Sequence, residues 1–391
     1  MANNKSSSFL HFDHTPPLVY VTSSSPHPPE KTLVWWKEDG FDVHYIPYTA
    51  SSTAERESYI RTISTLDRGL GLTQTYAIVA YGDAASVVLK VAMKPMHKCS
   101  AIIAYYPTQL PDPTHKYPSM LNVTVHVAGL SQKIPGNVAP ENCAWKCYVY
   151  DHCGFGFADP TARNYSEGDA NLAGSRSLIS IAKGAQMEAD IEPVADAAWR
   201  GKYDIEDPEV GANEVVSRMT QNAPHVTLLP TLEGGVGRRK LQEFYREFFI
   251  PSLVEDFDIR LVSRTIGIDR VVDEMIVSFT HTDDMDWILP GVPPTDKYVE
   301  IGVVSIVAVR GGKLVSEHMY WDQASVLMQV GLLDPKAVPK KMKDEGLKRL
   351  PVVGAEATKQ LVEPRHGQYN SLLKMHGLMD GLDELNGVNG A

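Results

Sequence analysis

Alternating apolar and polar positions between Asp269 and Leu333 predict three consecutive strands. From Val271 to His281, every second position is mostly apolar, which is typical of a strand with two different faces. The run Val299–Arg310 is almost wholly apolar, as expected of a strand that is covered on both faces. Gly311 and Gly312 follow and favour a tight hairpin, because glycine readily adopts the positive φ that such turns need.

The third predicted strand, Lys313–Asp322, carries the first candidate chemistry. Residues two apart in a strand point the same way, so His318, Tyr320 and Asp322 share one face. A histidine, a phenol and a carboxylate on one face of an apolar sheet form a candidate acid–base site. The alternative is a half-buried edge strand whose polar face meets water.

Strands alternate with helices in the part of the chain before residue 186. The predicted strands are Leu18–Thr22, Phe41–Ile46, Thr75–Tyr81, Ala101–Tyr106, Val123–Ala128 and Cys147–Tyr150. The predicted helices are Ser52–Leu66, Ala84–Met93 and Ser166–Lys183. This alternation is typical of an α/β domain whose mostly parallel sheet is covered by helices on both faces.

The pattern divides the chain into five parts. Residues 1–17 are predicted to be a flexible tail, and residues 18–185 the α/β domain. Residues 186–212 are acidic and rich in alanine, without an apolar run long enough for a core strand, so we predict a linker there. Residues 213–335 form a second domain of helices followed by strands, and residues 336–391 form a C-terminal extension.

Length and charge limit the possible functions. A chain of 391 residues is too long for one ordinary core, which agrees with two domains. No apolar run approaches the roughly 20 residues that a membrane span requires. The net charge of −11 argues against a nucleic-acid partner, because such binding depends on clustered Lys and Arg. The first eight residues lack the apolar segment of a signal peptide, so we expect a cytoplasmic protein.

The cysteines do not follow a metal-binding pattern. The spacing of Cys143, Cys147 and Cys153 around His152 does not match the C-x-x-C pairs of common zinc sites. In a cytoplasmic protein such thiols are expected to be reduced and structural. We therefore predict no metal and no cofactor.

Two stretches of the first domain carry a family resemblance. The first is the strand–turn–helix sequence Tyr81-Gly82-Asp83-Ala84, and the second is Tyr150–Phe157. In these stretches and in strand order, residues 18–185 resemble the dienelactone hydrolase family, which implies an α/β-hydrolase fold. The resemblance places the family's catalytic cysteine at Ala84, its aspartate near Ser131 and its histidine at Phe155.

All three catalytic positions of that family are thus occupied by residues unable to do the chemistry. Hydrolysis through a covalent intermediate needs a nucleophile, a base and a group that orients the base. Nearby residues that could substitute are Ser86, His152 and Cys153.

The second domain ends with Tyr320-Trp321-Asp322 and then a predicted helix that closes as Leu327-Met328-Gln329-Val330-Gly331. In this signature and in element order, residues 213–335 resemble the SnoaL-like polyketide cyclases, which have the nuclear-transport-factor-two-like fold. The resemblance implies a strongly curved sheet that wraps around helices and leaves a conical pocket.

The resemblance also implies roles for particular residues. Asp322 would be the general acid or base of an intramolecular aldol closure, and His318 and Tyr320 would hold substrate carbonyls or relay a proton. The residues expected to contact substrate are His281, Asp283, Trp287, Trp321, Tyr245 and Arg264. For Arg264, the alternative is a structural cross-strand pair with Glu274.

The predicted function is that of a cofactor-independent cyclase or isomerase acting on a small apolar metabolite, such as a polyketide- or terpenoid-like intermediate. One alternative is a lactone or ester hydrolase of the dienelactone hydrolase type. Another is a non-catalytic binding or dimerisation protein. We expect a homodimer formed through the second domain.

Overall fold

The computed structural model describes residues 16–187, 190–365, 369–370 and 372. The predicted tail, residues 1–17, lies almost entirely outside the described residues. The described chain folds into two six-stranded sheets, one in each half of the sequence. In this part of the chain, no helix combines the length and the apolar character needed to cross a membrane.

The first sheet is parallel throughout, which confirms the predicted α/β arrangement. Its strands are β1 (Leu18–Ser23), β2 (Asp42–Pro47), β3 (Tyr76–Tyr81), β4 (Cys99–Tyr105), β5 (Asn122–Ala128) and β6 (Lys146–Tyr150). Their spatial order is β2-β1-β3-β4-β5-β6. The central strands β3 and β4 are buried along their whole length, because helices cover both faces.

Four helices cover this sheet. They are α1 (Glu30–Glu38), α2 (Thr53–Ser64), α3 (Gly82–Val91) and α4 (Glu167–Ala185). One apolar cluster joins α1 and α4 to one face of the sheet, and a second joins α2 and α3 to the other. The sequence pattern predicted three of these helices and missed α1.

The second sheet is mixed. Its strands are β7 (His225–Leu228), β8 (Glu233–Val236), β9 (Asp258–Ile266), β10 (Arg270–Thr280), β11 (Tyr298–Arg310) and β12 (Lys313–Trp321). The spatial order is β8-β7-β12-β11-β10-β9, and every neighbouring pair is antiparallel except the parallel pair β7 and β12. The three strands predicted from alternation, β10 to β12, are present with their ends within a residue of the expected positions.

Helices pack against one face of this sheet. They are α5 (Glu192–Tyr203), α6 (Pro208–Ser217) and α7 (Arg238–Glu243), the last continuing into a π-helical turn at Phe244–Phe249. The structure therefore differs from the predicted linker at 186–212, which contains α5 and the beginning of α6. Alanines on one side of α5 are buried, and the helix contacts β11 and β12. The second domain thus includes residues before 213.

Three further helices follow the last strand: α8 (Gln323–Gln329), α9 (Lys340–Asp344) and α10 (Ala355–Val362). Helix α10 lies on β11, where the Thr358 hydroxyl donates a hydrogen bond to the Glu300 carbonyl oxygen over 3.1 Å. An added Cβ at Gly302 would come within 2.9 Å of Leu361. Within the C-terminal extension, helix α10 is therefore packed on the sheet.

Candidate active site

The two faces of β12 have different surroundings. Glu317, Met319 and Trp321 are buried against the helices, whereas Tyr320 is 43% exposed on the opposite face. A register irregularity in the pairing with β11 between Ala308 and Val309 accompanies this arrangement. The face that carries His318 and Tyr320 is therefore not the one that packs against the helices, because the residues that alternate with them occupy that face.

Asp322 is exposed and caps a helix. Strand β12 ends at Trp321, and the Asp322 carboxylate accepts a hydrogen bond from the Ala324 backbone N–H over 2.9 Å at the start of α8. Carboxylates are favoured at this position because they pair with backbone donors that have no partner within the helix. Asp322 borders a groove on the outer side of the sheet, next to Ser325 and Thr358. Asp322 therefore lies outside the interior of the second domain.

A buried ion pair lies on the inner face of β12 instead. The Lys202 ammonium of α5 is 2.6 Å from Oε1 of Glu317, and the two residues are only 4% and 7% exposed. The Ser305 hydroxyl of β11 donates to the same carboxylate oxygen over 3.1 Å. The Tyr245 hydroxyl donates to Oε2 over 3.5 Å. A carboxylate, an ammonium and two hydroxyl groups thus meet inside the second domain.

Lys202, Ser305 and Glu317 face a cavity between α5 and the sheet, here called the second-domain cavity. Its residues that can form hydrogen bonds or ion pairs include Trp199, Lys202, His225, Asp273, Ser305 and Glu317. The empty space is about 410 Å³, including solvent at the mouth. The cavity is narrow in this conformation, so a ligand larger than a few waters requires movement of the side chains around it.

Two buried tyrosines near the Lys202–Glu317 pair remain protonated. Burial raises the pKa of Tyr245 well above its ordinary value, and the neighbouring Glu317 carboxylate adds to this. Burial raises the pKa of Tyr203 in the same way, with contributions from Glu317 and Asp273. Both phenols can therefore donate hydrogen bonds. Tyr245 is a predicted substrate-binding residue that the structure brings to the interior cluster.

The Arg264 guanidinium forms ion pairs with three carboxylates. Its Nε and Nη2 donate to the two oxygens of Asp273 over 2.7 and 2.9 Å. Its Nη1 donates to Asp196 over 2.6 Å and to Glu192 over 3.1 Å, both on α5. The hydrogen bonds to Asp273 raise the pKa of Arg264 above its ordinary value. Its role is thus to tie β9 and β10 to α5, and the cross-strand partner is Asp273 instead of Glu274.

The other predicted substrate-contacting residues lie apart from the ion pair. Trp287 is 1% exposed and packs with Phe249 and Trp321 at ring-centroid distances of 5.4 and 5.6 Å. It belongs to the core of the second domain and does not line the second-domain cavity. His281 is buried, and its Nδ1 is 3.1 Å from the Thr295 hydroxyl. Burial lowers the pKa of His281 and keeps the ring neutral.

Asp283 is exposed, and its carboxylate accepts a hydrogen bond from the backbone N–H of the next residue. It takes no part in the interior cluster.

Sequence reasoning missed the residues that form the interior cluster, chiefly Glu317 and Lys202. A signal for Glu317 is present, because it alternates with Met319 and Trp321 on the more apolar side of the strand. A carboxylate is unusual on a strand face whose neighbouring residues are large and apolar. Lys202 gives no comparable signal, since a lysine near a helix end is ordinarily solvated.

The first domain has no complete hydrolytic triad among the described residues. The positive φ at the end of β3 falls on Gly82, and Ala84 is buried inside α3. The Ser86 hydroxyl accepts a hydrogen bond from the Gln109 backbone N–H over 2.9 Å and is 3.1 Å from the Thr108 hydroxyl, without a histidine. Burial raises the pKa of Cys153 to about 11, so this thiol is protonated near neutral pH.

Metal-ligating side chains are also scattered. Nowhere in the described ranges do three His, Cys, Asp or Glu side chains gather as a metal site requires. The four cysteines, Cys99 included, are free thiols.

Comparison with known proteins gives structural likeness only. No known sequence family matches the chain, and no curated protein sequence matches it. A protein from Jannaschia sp. CCS1, named as a SnoaL-like polyketide cyclase, is 14% identical and matches 38% of this chain and 98% of its own, with a TM-score of 0.31. A protein with a ketosteroid isomerase-like fold from Catenulispora acidiphila is 15% identical over 36% of this chain and 95% of its own, with a TM-score of 0.28.

A third similar structure is an NTF2-like protein of unknown function from Burkholderia pseudomallei. It is 9% identical and covers 37% of this chain and 99% of its own, with a TM-score of 0.28. Such likeness covers a part of the chain the size of one domain and does not identify an activity. The resemblance of the first domain to dienelactone hydrolases stays a prediction. Function is inferred below from the geometry of the site.

Proposed function

We propose that the second domain is an acid–base catalyst that transfers a proton next to a carbonyl group of a small apolar substrate, as cyclases and isomerases do. The observation that supports this is the Lys202–Glu317 pair, whose nitrogen and oxygen are 2.6 Å apart at the wall of the second-domain cavity. A base and an acid held this close can act on neighbouring atoms of one substrate.

The chemistry follows from the donors and acceptors present. Glu317 accepts the proton on the carbon next to the substrate carbonyl, and the electrons of the broken C–H bond form the enolate double bond. The charge that develops on the carbonyl oxygen is stabilised by a hydrogen bond from Lys202, while the protonated phenol of Tyr245 donates to Glu317 and holds the base in place. Return of the proton to a different carbon gives an isomer. Attack of the enolate carbon on a second carbonyl of the same molecule closes a ring.

The walls of the second-domain cavity define the substrate class. Ala195, Ala198, Val226 and Val307 supply apolar surface, and the polar groups gather at the ion pair. Such a distribution favours an apolar ketone without charged groups. A bulky substrate has to displace side chains around the narrow opening.

The test is the exchange of α-protons of 2-tetralone, an apolar bicyclic ketone, in deuterated buffer followed by proton NMR. The protein should accelerate exchange above the buffer rate, and Glu317→Gln should remove about 99% of that acceleration. Glu274→Gln is the matched control, since Glu274 lies on the other face of the same sheet and, among the described residues, its side chain accepts a hydrogen bond from Ser263 alone. It should exchange at the wild-type rate.

Folding of Glu317→Gln must be checked, because Lys202 loses its charged partner. Tyr245→Phe supplies a second test, since it removes one hydroxyl and keeps the packing of the ring. It should slow exchange about tenfold. Exchange that is unaffected in both variants would refute the proposed function.

A further inference from the structure

Four rings form a stack across the sheet of the first domain. They are Tyr81 of β3, Tyr105 of β4, His126 of β5 and Tyr148 of β6, paired residue to residue in register. Their successive centroids are 4.8, 4.6 and 5.8 Å apart, with interplanar angles of 11°, 21° and 17°. The Arg176 guanidinium closes one end, 4.1 Å from the Tyr148 centroid. Neighbouring strands are about 4.8 Å apart, which is the distance at which rings stack.

Hydrogen bonds fix the middle of this stack. The His126 Nδ1 is 2.9 Å from the Tyr150 hydroxyl, and its Nε2 is 2.9 Å from the Ser177 hydroxyl. The Ser177 oxygen is also 2.9 Å from the Tyr105 hydroxyl. Burial lowers the pKa of His126 to about 3, so the ring is neutral. The stack is therefore a rigid apolar surface whose other end is Tyr81.

A second cavity lies beside this end of the stack and is here called the aromatic cavity. The space between its walls, including solvent at its mouth, is about 380 Å³, and it is lined among others by Trp35, Trp36, Tyr81, Tyr105, Tyr165 and Asn171. Like the second-domain cavity it is narrow in this conformation, so a bound ring requires movement of the side chains around it. Tyr81 and Tyr105 stand at the carboxyl ends of β3 and β4. In open α/β sheets, ligands bind at this edge.

One charged side chain of the second domain packs on a ring that lines the aromatic cavity. The Arg310 guanidinium lies 3.8 Å from the centroid of Trp35, which lines the cavity. Its charge also acts on Tyr105 and Tyr165, two other lining residues. Within the described part of the chain, the Arg310 guanidinium has neither a hydrogen-bond acceptor nor an ion-pair partner. Five N–H donors are thus held beside an aromatic cavity without a partner.

The carboxyl groups around Arg310 leave this site open to an anion. Asp269 is engaged by Ser175 and Arg270 over 2.5 and 2.7 Å. Asp39 is fully buried, and both of its oxygens lack a hydrogen-bond partner among the described residues. Burial raises the pKa of Asp39 to about 7, so this group is mostly uncharged in mildly acidic solution.

We propose that the aromatic cavity binds a planar aromatic carboxylate, whose ring packs against the Trp and Tyr side chains and whose carboxylate accepts hydrogen bonds from Arg310. Aromatic rings prefer offset-stacked or edge-to-face neighbours, and both kinds of surface are present in the lining. Guanidinium and carboxylate groups pair through two parallel hydrogen bonds. This ligand site is separate from the second-domain cavity.

The experiment is a calorimetric titration of the full-length protein at about pH 6 with 2-naphthoate, and with 2-naphthamide as the uncharged probe of the same shape. Naphthoate should bind about tenfold more tightly than naphthamide. Arg310→Gln should abolish this preference by weakening naphthoate about tenfold and changing naphthamide less than about twofold. Arg260→Gln, which alters an exposed arginine of β9, is the matched control and should leave both affinities unchanged.

Two further variants keep the test decisive, since Arg310→Gln also removes a contact between the domains. Tyr165→Leu removes a 39% exposed ring and should weaken both probes by about the same factor. Glu317→Gln should change neither affinity. The proposal is overturned if naphthoate does not saturate the protein by about 10 mM, if the two probes bind equally, or if Glu317→Gln weakens naphthoate while Arg310→Gln does not.

Discussion

At the scale of single residues, the Lys202–Glu317 pair combines stability with chemistry. Removing two charges from water carries a desolvation cost, and their attraction offsets it only with good geometry and additional hydrogen bonds. Here Ser305 and Tyr245 supply those bonds. A chain selected for stability alone would be served as well by apolar residues at these positions, so the pair is better explained by its place at a cavity.

The buried Lys202–Glu317 pair predicts a specific pattern of unfolding free energies among variants. Lys202→Met leaves a buried carboxylate without its partner and should destabilise the protein by about 3–5 kcal/mol in urea unfolding. The double variant Lys202→Met with Glu317→Leu should recover most of that loss. Arg218→Met breaks an exposed pair with Glu214 and should cost less than about 1 kcal/mol. A double variant no more stable than Lys202→Met would contradict the interpretation.

Asp39 predicts a pH dependence of stability. Burial raises its folded pKa to about 7, above the roughly 3.9 of an unfolded aspartate, while Arg310 opposes the shift and Asp269 and Glu38 add to it. The folded protein therefore binds the proton more tightly than the unfolded chain. This contribution to stability is fully present below about pH 4 and is lost as the pH rises to about 7.

Asp39→Asn should remove that dependence. At about pH 8 the variant should be more stable than the wild type, by roughly 1–4 kcal/mol, because no buried charge has to form. At about pH 4 the two proteins should differ little. Thermal unfolding across this range measures the effect, and parallel pH profiles of the two proteins would show that Asp39 is not the group responsible.

At the scale of elements, the strength of the apolar pattern along the chain determined which helices and strands could be predicted from the sequence. Strands β10 to β12 were found because their alternation is strong and because Gly311 and Gly312 mark the hairpin. Helix α5 was missed because its buried side consists mainly of small residues such as Ala195, Ala198 and Gly201. Small residues let a helix approach a sheet closely, yet they contribute little to an apolar pattern.

The sequence pattern favoured the outer face of β12 as the site for a related reason. His318, Tyr320 and Asp322 are residue types that often carry chemistry, and they share a face. Glu317 lies on the opposite face, and its significance depends on Lys202, which is distant in the sequence and sits on the helix that was missed. Long-range pairing of this kind has no local signature.

The ion pairs of Arg264 with Glu192 and Asp196 are expected to hold helix α5 against the sheet. Arg264→Gln removes the contacts to Glu192 and Asp196 and leaves the buried Asp273 without its charged partner. Backbone amide hydrogen exchange should therefore increase in α5, while α3 in the first domain should be unchanged. Mass spectrometry of peptides from both helices measures this. Equal increases in the two helices would indicate global destabilisation and contradict a local role.

At the scale of the whole molecule, the two domains share a packed interface. One apolar cluster contains buried residues of both. The Ser175 hydroxyl of α4 donates a hydrogen bond to the Asp269 carboxylate in the turn between β9 and β10. The Arg310 guanidinium stacks on the Trp35 ring. The expected homodimer stays a prediction, and any pairing through the outer face of β11 has to accommodate α10.

A substitution at Gly311 tests the contact between the two domains. It has a φ of 51°, and an added Cβ would overlap the Glu38 carbonyl oxygen of the first domain. Gly311→Ala should therefore lower stability well beyond the roughly 1 kcal/mol cost of positive φ, because backbone has to move. Gly237→Ala is the control, since Gly237 has a φ of 91° with no atom near its missing Cβ. Equal losses in denaturant unfolding would show that the domains separate easily.

We assign proton transfer to Glu317 on the inner face of β12, and a comparison of three proteins tests this assignment. Exchange of 2-tetralone α-protons is measured side by side for the wild type, Glu317→Gln and Asp322→Asn, each shown to be folded. The rate above background should fall about 100-fold in Glu317→Gln and stay within about twofold of the wild type in Asp322→Asn. The opposite result, with exchange lost in Asp322→Asn and retained in Glu317→Gln, would contradict this account.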